Sequence, residues 1–187
     1  MRDAEATKER ILSAALTEFA AFGISGSRVA RIAQSAGCNK NLIYVYFQDK
    51  ETLFAVVLKK NLAHVYETIA PTAEDLPAYA LRIFDFACLN PKLMRLMAWF
   101  SLEQKVDSPP ERLHMFELKT SLLQSAQEAG QLRRSFPPAF LITSIMAIAT
   151  SCTAVTTGES SNEFYFGNAQ LFRKSVATAV RLLSQPG

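Results

Sequence analysis

Cysteine is scarce and poorly placed in this chain of 187 residues: Cys38, Cys88 and Cys152 lie 50 and 64 residues apart. No CxxC pair exists and any disulfide leaves one thiol over, so the pattern points to a reducing compartment. Histidine is scarcer still. His64 and His114 form no HxxxH or HExxH spacing, which removes any local zinc or His-triad signature and leaves one expected half-buried and one expected surface side chain. There is also no GxSxG elbow and no GxxxxGK[ST] loop. The chain is therefore predicted to be no enzyme, to hold no metal and to need no cofactor. With 7 Gly, 8 Pro, 49% hydrophobic residues and a net charge of +3, it is not collagen-like, low-complexity or disordered, and it can bury a sizeable core.

Long hydrophobic runs are nearly absent too. The opening MRDAEATKER is charged throughout, which argues against a secretory signal. Residues 135–158 lack charge and are long enough to cross a bilayer core of about 30 Å. Yet residues 139–158 carry seven Ser/Thr, Pro137-Pro138 precede them, and no Trp, Lys or Arg cluster marks two interfaces. A cytoplasmic protein without a membrane partner is expected.

Charge is unevenly spread. Residues 1–60 hold nine basic and six acidic side chains, whereas residues 61–187 hold eleven of each, so the whole excess lies in the first third. Alone, that excess is an ordinary solvated surface.

What is abundant is helical periodicity. Ile11, Ala15, Phe19 and Phe22, widened by Leu12 and Leu16, define a first helix over about residues 7–22, with Gly23 as its cap. Ser27 is the expected N-cap of a short helix with Val29, Ile32, Ala33 and Ala36 on its apolar side and Gly37 at its end. Asn39 caps a second short helix through Phe47, and Asp49 caps a longer one from Lys50. Further starts are read at Asp75 with Pro77, at Asn90-Pro91, at Ser108-Pro109-Pro110 and at Pro137-Pro138. The last helix covers about residues 162–183, with Gly167 able to delay its start. No strand is credible, so the fold class is all-α. Two short helices joined by a Gly-containing turn make a helix-turn-helix pattern, whose second helix enters a major groove.

Residues 23–54 resemble the signature of TetR-family transcriptional regulators in three parts: Ile32-Ala33 with Ala36-Gly37, Ile43-Tyr44 with Tyr46-Phe47, and Lys50-Glu51 with Leu53. With the first helix the resemblance covers about 45 residues. It implies an N-terminal three-helix DNA-binding domain over residues 1–50 and a C-terminal helical effector-binding and dimerisation domain over residues 51–187. It further implies a homodimeric repressor that binds a palindromic double-stranded DNA operator and is released by a small, mostly apolar effector. Departures fall where bases are read: Val45 stands where the family often has His or Tyr, Asn41 replaces a small residue and Leu42 a short polar one. The operator does not carry over by analogy.

The candidate DNA contacts follow from residue chemistry. Tyr44 and Tyr46 can donate phenol hydroxyls to phosphates, as the resemblance favours, while Phe47 follows Ile43 by four residues into the core. Lys50 opens a helix, where an ammonium and free N–H groups form an anion site. Asn39, Lys40 and Asn41 can reach base edges or phosphates, with Val45 on the same helix. Arg28 is a phosphate contact in the first turn of its helix. Arg31 can serve equally there or in a surface ion pair.

Aromatic and Met residues concentrate in the second domain, and the run Leu93–Phe100 has more apolar residues than one helical stripe can bury. An effector pocket is expected among Phe84, Met97, Trp99, Phe100 and Met115, with Cys88 and His114 as polar contacts. An ordinary packed core and a helical small-molecule carrier without DNA binding are the competing readings. Dimerisation is expected through the last two helices, with Leu171, Phe172, Val176, Val180 and Leu183 near one stripe.

Overall fold

The backbone is described for residues 2–155 and 169–185 of a computed structural model, and all nine elements among them are helices. They divide into two compact units, Met1–Val65 with Pro91–Pro109 and Tyr66–Asn90 with Pro110–Gly187. Chain order is not unit order: residues 91–109 cluster with the N-terminal helices, which the expected boundary at residue 50 did not foresee.

The first unit contains α1 (Arg2–Gly26), α2 (Val29–Ala36), α3 (Lys40–Phe47), most of α4 (Lys50–Thr68) and α6 (Pro91–Glu103). Ile11, Ala15 and Phe19 are buried as the periodicity requires, and Phe19 meets Phe54 of α4 edge to face at 5.1 Å. Phe22 departs from that stripe. It is half exposed, and the Arg31 guanidinium covers its ring at 4.4 Å.

At Gly23 the backbone leaves the helix with φ 65° and ψ −172°, a region essentially confined to glycine. The break leaves the Ala20 carbonyl and the Ile24 N–H without each other, and α6 supplies partners for both. Arg95 Nε (3.0 Å) and Trp99 Nε1 (3.3 Å) donate to Ala20 O, while the Glu103 carboxylate accepts from Ile24 N (2.7 Å) and Ser25 N (3.1 Å). Burial pushes the Glu103 carboxyl up, but the Ser25 and Ile24 N–H groups, the Ser25 hydroxyl and the Lys105 charge outweigh it and hold the group below its ordinary value. A Cβ on Gly23 would lie 2.8 Å from both the Trp99 ring and the Glu103 carboxylate.

The second unit holds α5 (Leu76–Leu89), α7 (Pro110–Glu128), α8 (Pro138–Val155) and α9 (Ala169–Ser184). Asp75 Oδ1 accepts from Ala78 N at 3.0 Å and Pro77 lies in the first turn, as the sequence predicts. The proline-marked starts at Pro91, Pro110 and Pro138 are likewise observed. Helix α5 packs on α8 and α9, and α8 packs on α7 and α9. Buried Gln127 ties the α7–α8 turn, donating to Arg133 O (2.7 Å) and Phe136 O (2.9 Å).

Val176 and Val180, expected at a subunit interface, are 3% and 0% exposed inside this unit, because that edge of α9 faces α5 and α8. The expected extensions of α8 to Gly158 and of α9 back to Asn162 lie outside the described residues. Among the described residues no helix is long and apolar enough to cross a membrane.

Candidate nucleic-acid interface

The expected helix-turn-helix is present. Helix α2 buries Val29, Ile32, Ala33 and Ala36, and its C-terminal Gly37 adopts φ 63°, ψ 43°, with its N–H and that of Cys38 turned back to Gln34 O (3.2 Å) and Ala33 O (3.0 Å). The N-cap differs from expectation. Arg28 occupies that position with no side-chain cap, while the buried Ser27 hydroxyl donates to Ile24 O at 2.8 Å. Glu18 of α1 does the capping instead: it accepts from Arg28 N (2.9 Å) and from Arg31 Nε (2.7 Å). Arg31 is thus committed to a carboxylate and an aromatic ring, with another N–H on Gly26 O, which decides between its two readings.

Helix α3 is short, and at 1.5 Å rise per residue spans about 12 Å, comparable to the width of a DNA major groove. Asn39 Oδ1 accepts from Asn41 N at 2.9 Å to start it. It ends where Gln48, at φ 65°, returns its N–H to Tyr44 O at 2.9 Å. Ile43 and Phe47 anchor the inner side. Outward stand Asn39, Lys40, Asn41, Tyr44 (42% exposed) and Val45 (75% exposed), and Tyr46 is half buried against Phe47 at 6.1 Å. The Lys40 ammonium sits 5.6 Å from the Tyr44 ring centre, so cation and phenol form one exposed pair.

Arg28 is exposed beside them. Lys50 is less free than expected: it is half buried, and one of its three donors goes to Ser27 O at 3.3 Å. Asp49 Oδ1 accepts from Thr52 N at 2.6 Å, and hydrogen bonds from the Thr52 backbone and side chain hold the Asp49 carboxyl below its ordinary value. Between Glu18 and Asp49 thirty residues carry no carboxylate, so no acid on α2, the turn or α3 opposes the basic side chains.

The residues expected to line a pocket are divided between the two units. Met97, Trp99 and Phe100 ride on α6 in the first unit, where the missing Cβ of Gly23 makes room for the indole. Phe84, Cys88, His114 and Met115 belong to the second unit. There Phe84 is buried and stacks on Phe172 at 5.8 Å, Met115 is half buried, and Cys88 and His114 are exposed. His64 is exposed as well, so neither histidine is a buried polar contact. Among the described residues no group of His, Cys, Asp or Glu could hold a metal ion.

A short capped helix presented outward by a second helix, in a carboxylate-free segment, defines a helix-turn-helix DNA-binding protein. Residues 11–57 match the family described as bacterial regulatory proteins, tetR family, and residues 75–181 match the tetracyclin repressor-like C-terminal domain. Among curated relatives, the HTH-type transcriptional repressor SCO4008 of Streptomyces coelicolor is 35% identical over 157 residues, 82% of each chain. The HTH-type transcriptional repressor NicS of Pseudomonas putida is 30% identical, over 81% of this chain and 76% of its own. Among solved structures, the transcriptional regulator SCO4942 of Streptomyces coelicolor is similar with a TM-score of 0.86 and 31% identity, covering 96% of this chain and 99% of its own. The chain belongs to the TetR family of transcriptional regulators; such proteins are DNA-binding regulators, not enzymes.

Proposed function

We propose that the protein is a cytoplasmic repressor that binds a palindromic operator as a homodimer and leaves it when a small, mostly apolar effector binds the second unit. The outward face of α3, with Asn39, Lys40, Asn41, Tyr44 and Val45 exposed on a capped frame, is the observation that carries this reading. Arg28 and Lys50 add phosphate contacts, and half-buried Tyr46 adds one by donating its phenol hydroxyl. The names of the relatives SCO4008 and NicS support repression rather than activation.

Two uncharged stripes support a dimer. On α9, Leu171, Ser175, Thr178 and Leu182 recur at i, i+4, i+7 and i+11, all exposed. On charge-free α8, Phe140 and Ala147 are exposed, with Ser144 and Ser151 half buried between and beyond them. An isologous contact through these stripes would hold two recognition helices about 34 Å apart, one DNA turn.

Footprinting on the DNA upstream of the protein's own gene tests the reading directly: a protected palindrome is expected, and its absence from every upstream fragment would sink it. Lys40→Ala should weaken binding and lower the salt slope by about one phosphate contact. The pair Phe140→Glu and Leu182→Glu should sediment as a monomer at micromolar concentration. A dimer that survives both changes rules out these stripes as the interface.

A further inference from the structure

Tyr79 of α5 is 1% exposed, and its hydroxyl has no hydrogen-bond partner among the described residues. Leaving a buried hydroxyl unpaired is costly, and a phenylalanine would fill the same volume without that cost. The surroundings are one-sided in charge. The ammonium of Lys119 on α7 lies 6.0 Å from the Tyr79 ring centre and the guanidinium of Arg82 lies 5.7 Å from it. Tyr79 and Lys119 line the same small cavity, of about 10 Å³, which has Thr72 as its other polar residue and no carboxylate in its wall. The rest of the wall is apolar, chiefly Leu76, Leu122, Leu123 and Ile142. Burial holds the Lys119 amine below its ordinary pKa and pushes the Tyr79 phenol up to about 12, so the phenol is a hydrogen-bond donor at any physiological pH. A larger cleft of about 560 Å³, lined by exposed Glu74, Asp75 and Arg181, offers no such combination of buried donors and apolar wall.

Resting on the reading of the second unit as the effector domain, we propose that the effector is an amphipathic carboxylic acid whose carboxylate is received by the Tyr79 hydroxyl and the Lys119 ammonium while its apolar body lies among Leu122, Leu123 and Ile142. An anion supplies what this wall lacks, a negatively charged acceptor that both donors can share. The cavity has room for no more than a single water. A guest of several carbons therefore has to part α7 from α5 and α8, and this makes binding selective for a second arrangement of the unit, as an effector requires.

The test is calorimetry on the purified full-length protein without DNA, so acid binding and operator binding are scored separately. Octanoate and benzoate are the flexible and flat probes, with octanamide and benzamide as neutral counterparts. At least one acid should bind saturably and about tenfold more tightly than its amide. Tyr79→Phe should weaken that acid by about tenfold, and Lys119→Met should erase the preference for acid over amide. Tyr79→Phe should also melt no lower than the parent. Equal affinity for acid and amide, no saturable binding of either acid, unchanged affinity in Tyr79→Phe, or a lowered melting temperature in that variant would each overturn the proposal. None of these results touches the operator-binding reading, which fails only if footprinting fails.

Discussion

The two units differ in how completely their buried polar groups are satisfied: the second pairs Gln127 and caps α5 with Asp75 but leaves one buried hydroxyl without a partner among the described residues. In the first, almost every irregularity has a dedicated partner: Glu103 and Trp99 at the Gly23 break, Glu18 at the start of α2, Asn39 and Asp49 at the starts of α3 and α4. In the second, long helices meet through apolar faces, and the buried Tyr79 hydroxyl is left unpaired among the described residues. A unit that must present one short helix to a DNA groove needs its frame fully determined, since small misplacement costs base contacts. Under the proposed function the second unit changes shape around a guest, and smooth apolar contacts with one polar group left over suit that role.

The sharpest way to break the comparison is at Gly23. Gly23→Val combines a backbone region closed to Val with a Cβ 2.8 Å from Trp99 and Glu103, and should cost on the order of 3 kcal/mol or more in urea unfolding. Operator affinity should fall with it. If unfolding is unchanged, the α1–α6 junction is not a fixed part of the frame.

Gly37→Ala separates backbone from space. A Cβ there meets nothing within 4 Å, so only the left-handed φ is penalised and the loss should be about 1 kcal/mol. A cost as large as that of Gly23→Val would show that crowding is not what distinguishes the two glycines.

The smallest effect is expected at Asp49, whose carboxyl is held below its ordinary value of 3.8 by the Thr52 N–H. A group with a lowered folded pKa contributes stability above the unfolded pKa and loses it as pH falls through the folded one. Melting temperature should thus decline from about pH 5 downward in the parent and more shallowly in Asp49→Asn, which keeps an acceptor but does not titrate. Identical slopes would remove Asp49 from the account of acid stability.

Much of the helix order in both units is legible in the sequence because its signals are local. A cap such as Asn39, Asp49 or Asp75 bonds N–H groups only two or three residues away, and a proline announces a helix start by its own geometry, so sequence spacing alone encodes the contact. Ser27 misled because the same hydroxyl chemistry can turn back to Ile24 O, and the competing acceptor, Glu18, comes from another helix. Phe22, Trp99, Val176 and Val180 misled for a related reason. Periodicity shows that a residue has an apolar face to bury but not against which helix, and the Trp99 indole packs where Gly23 has no Cβ.

By itself, then, the sequence determined the helical class, the order of the described helices, the starts of α3 to α8 and the three-part regulator signature, because each depends on contacts within a few residues. Only the tertiary structure decided that α6 belongs with the N-terminal helices, that Arg31 is spent on Glu18, that Val176 and Val180 are interior, and that Tyr79 and Lys119 share a cavity. Those facts depend on which surfaces meet across dozens of residues of chain, where burial is non-directional and many pairings satisfy the same pattern.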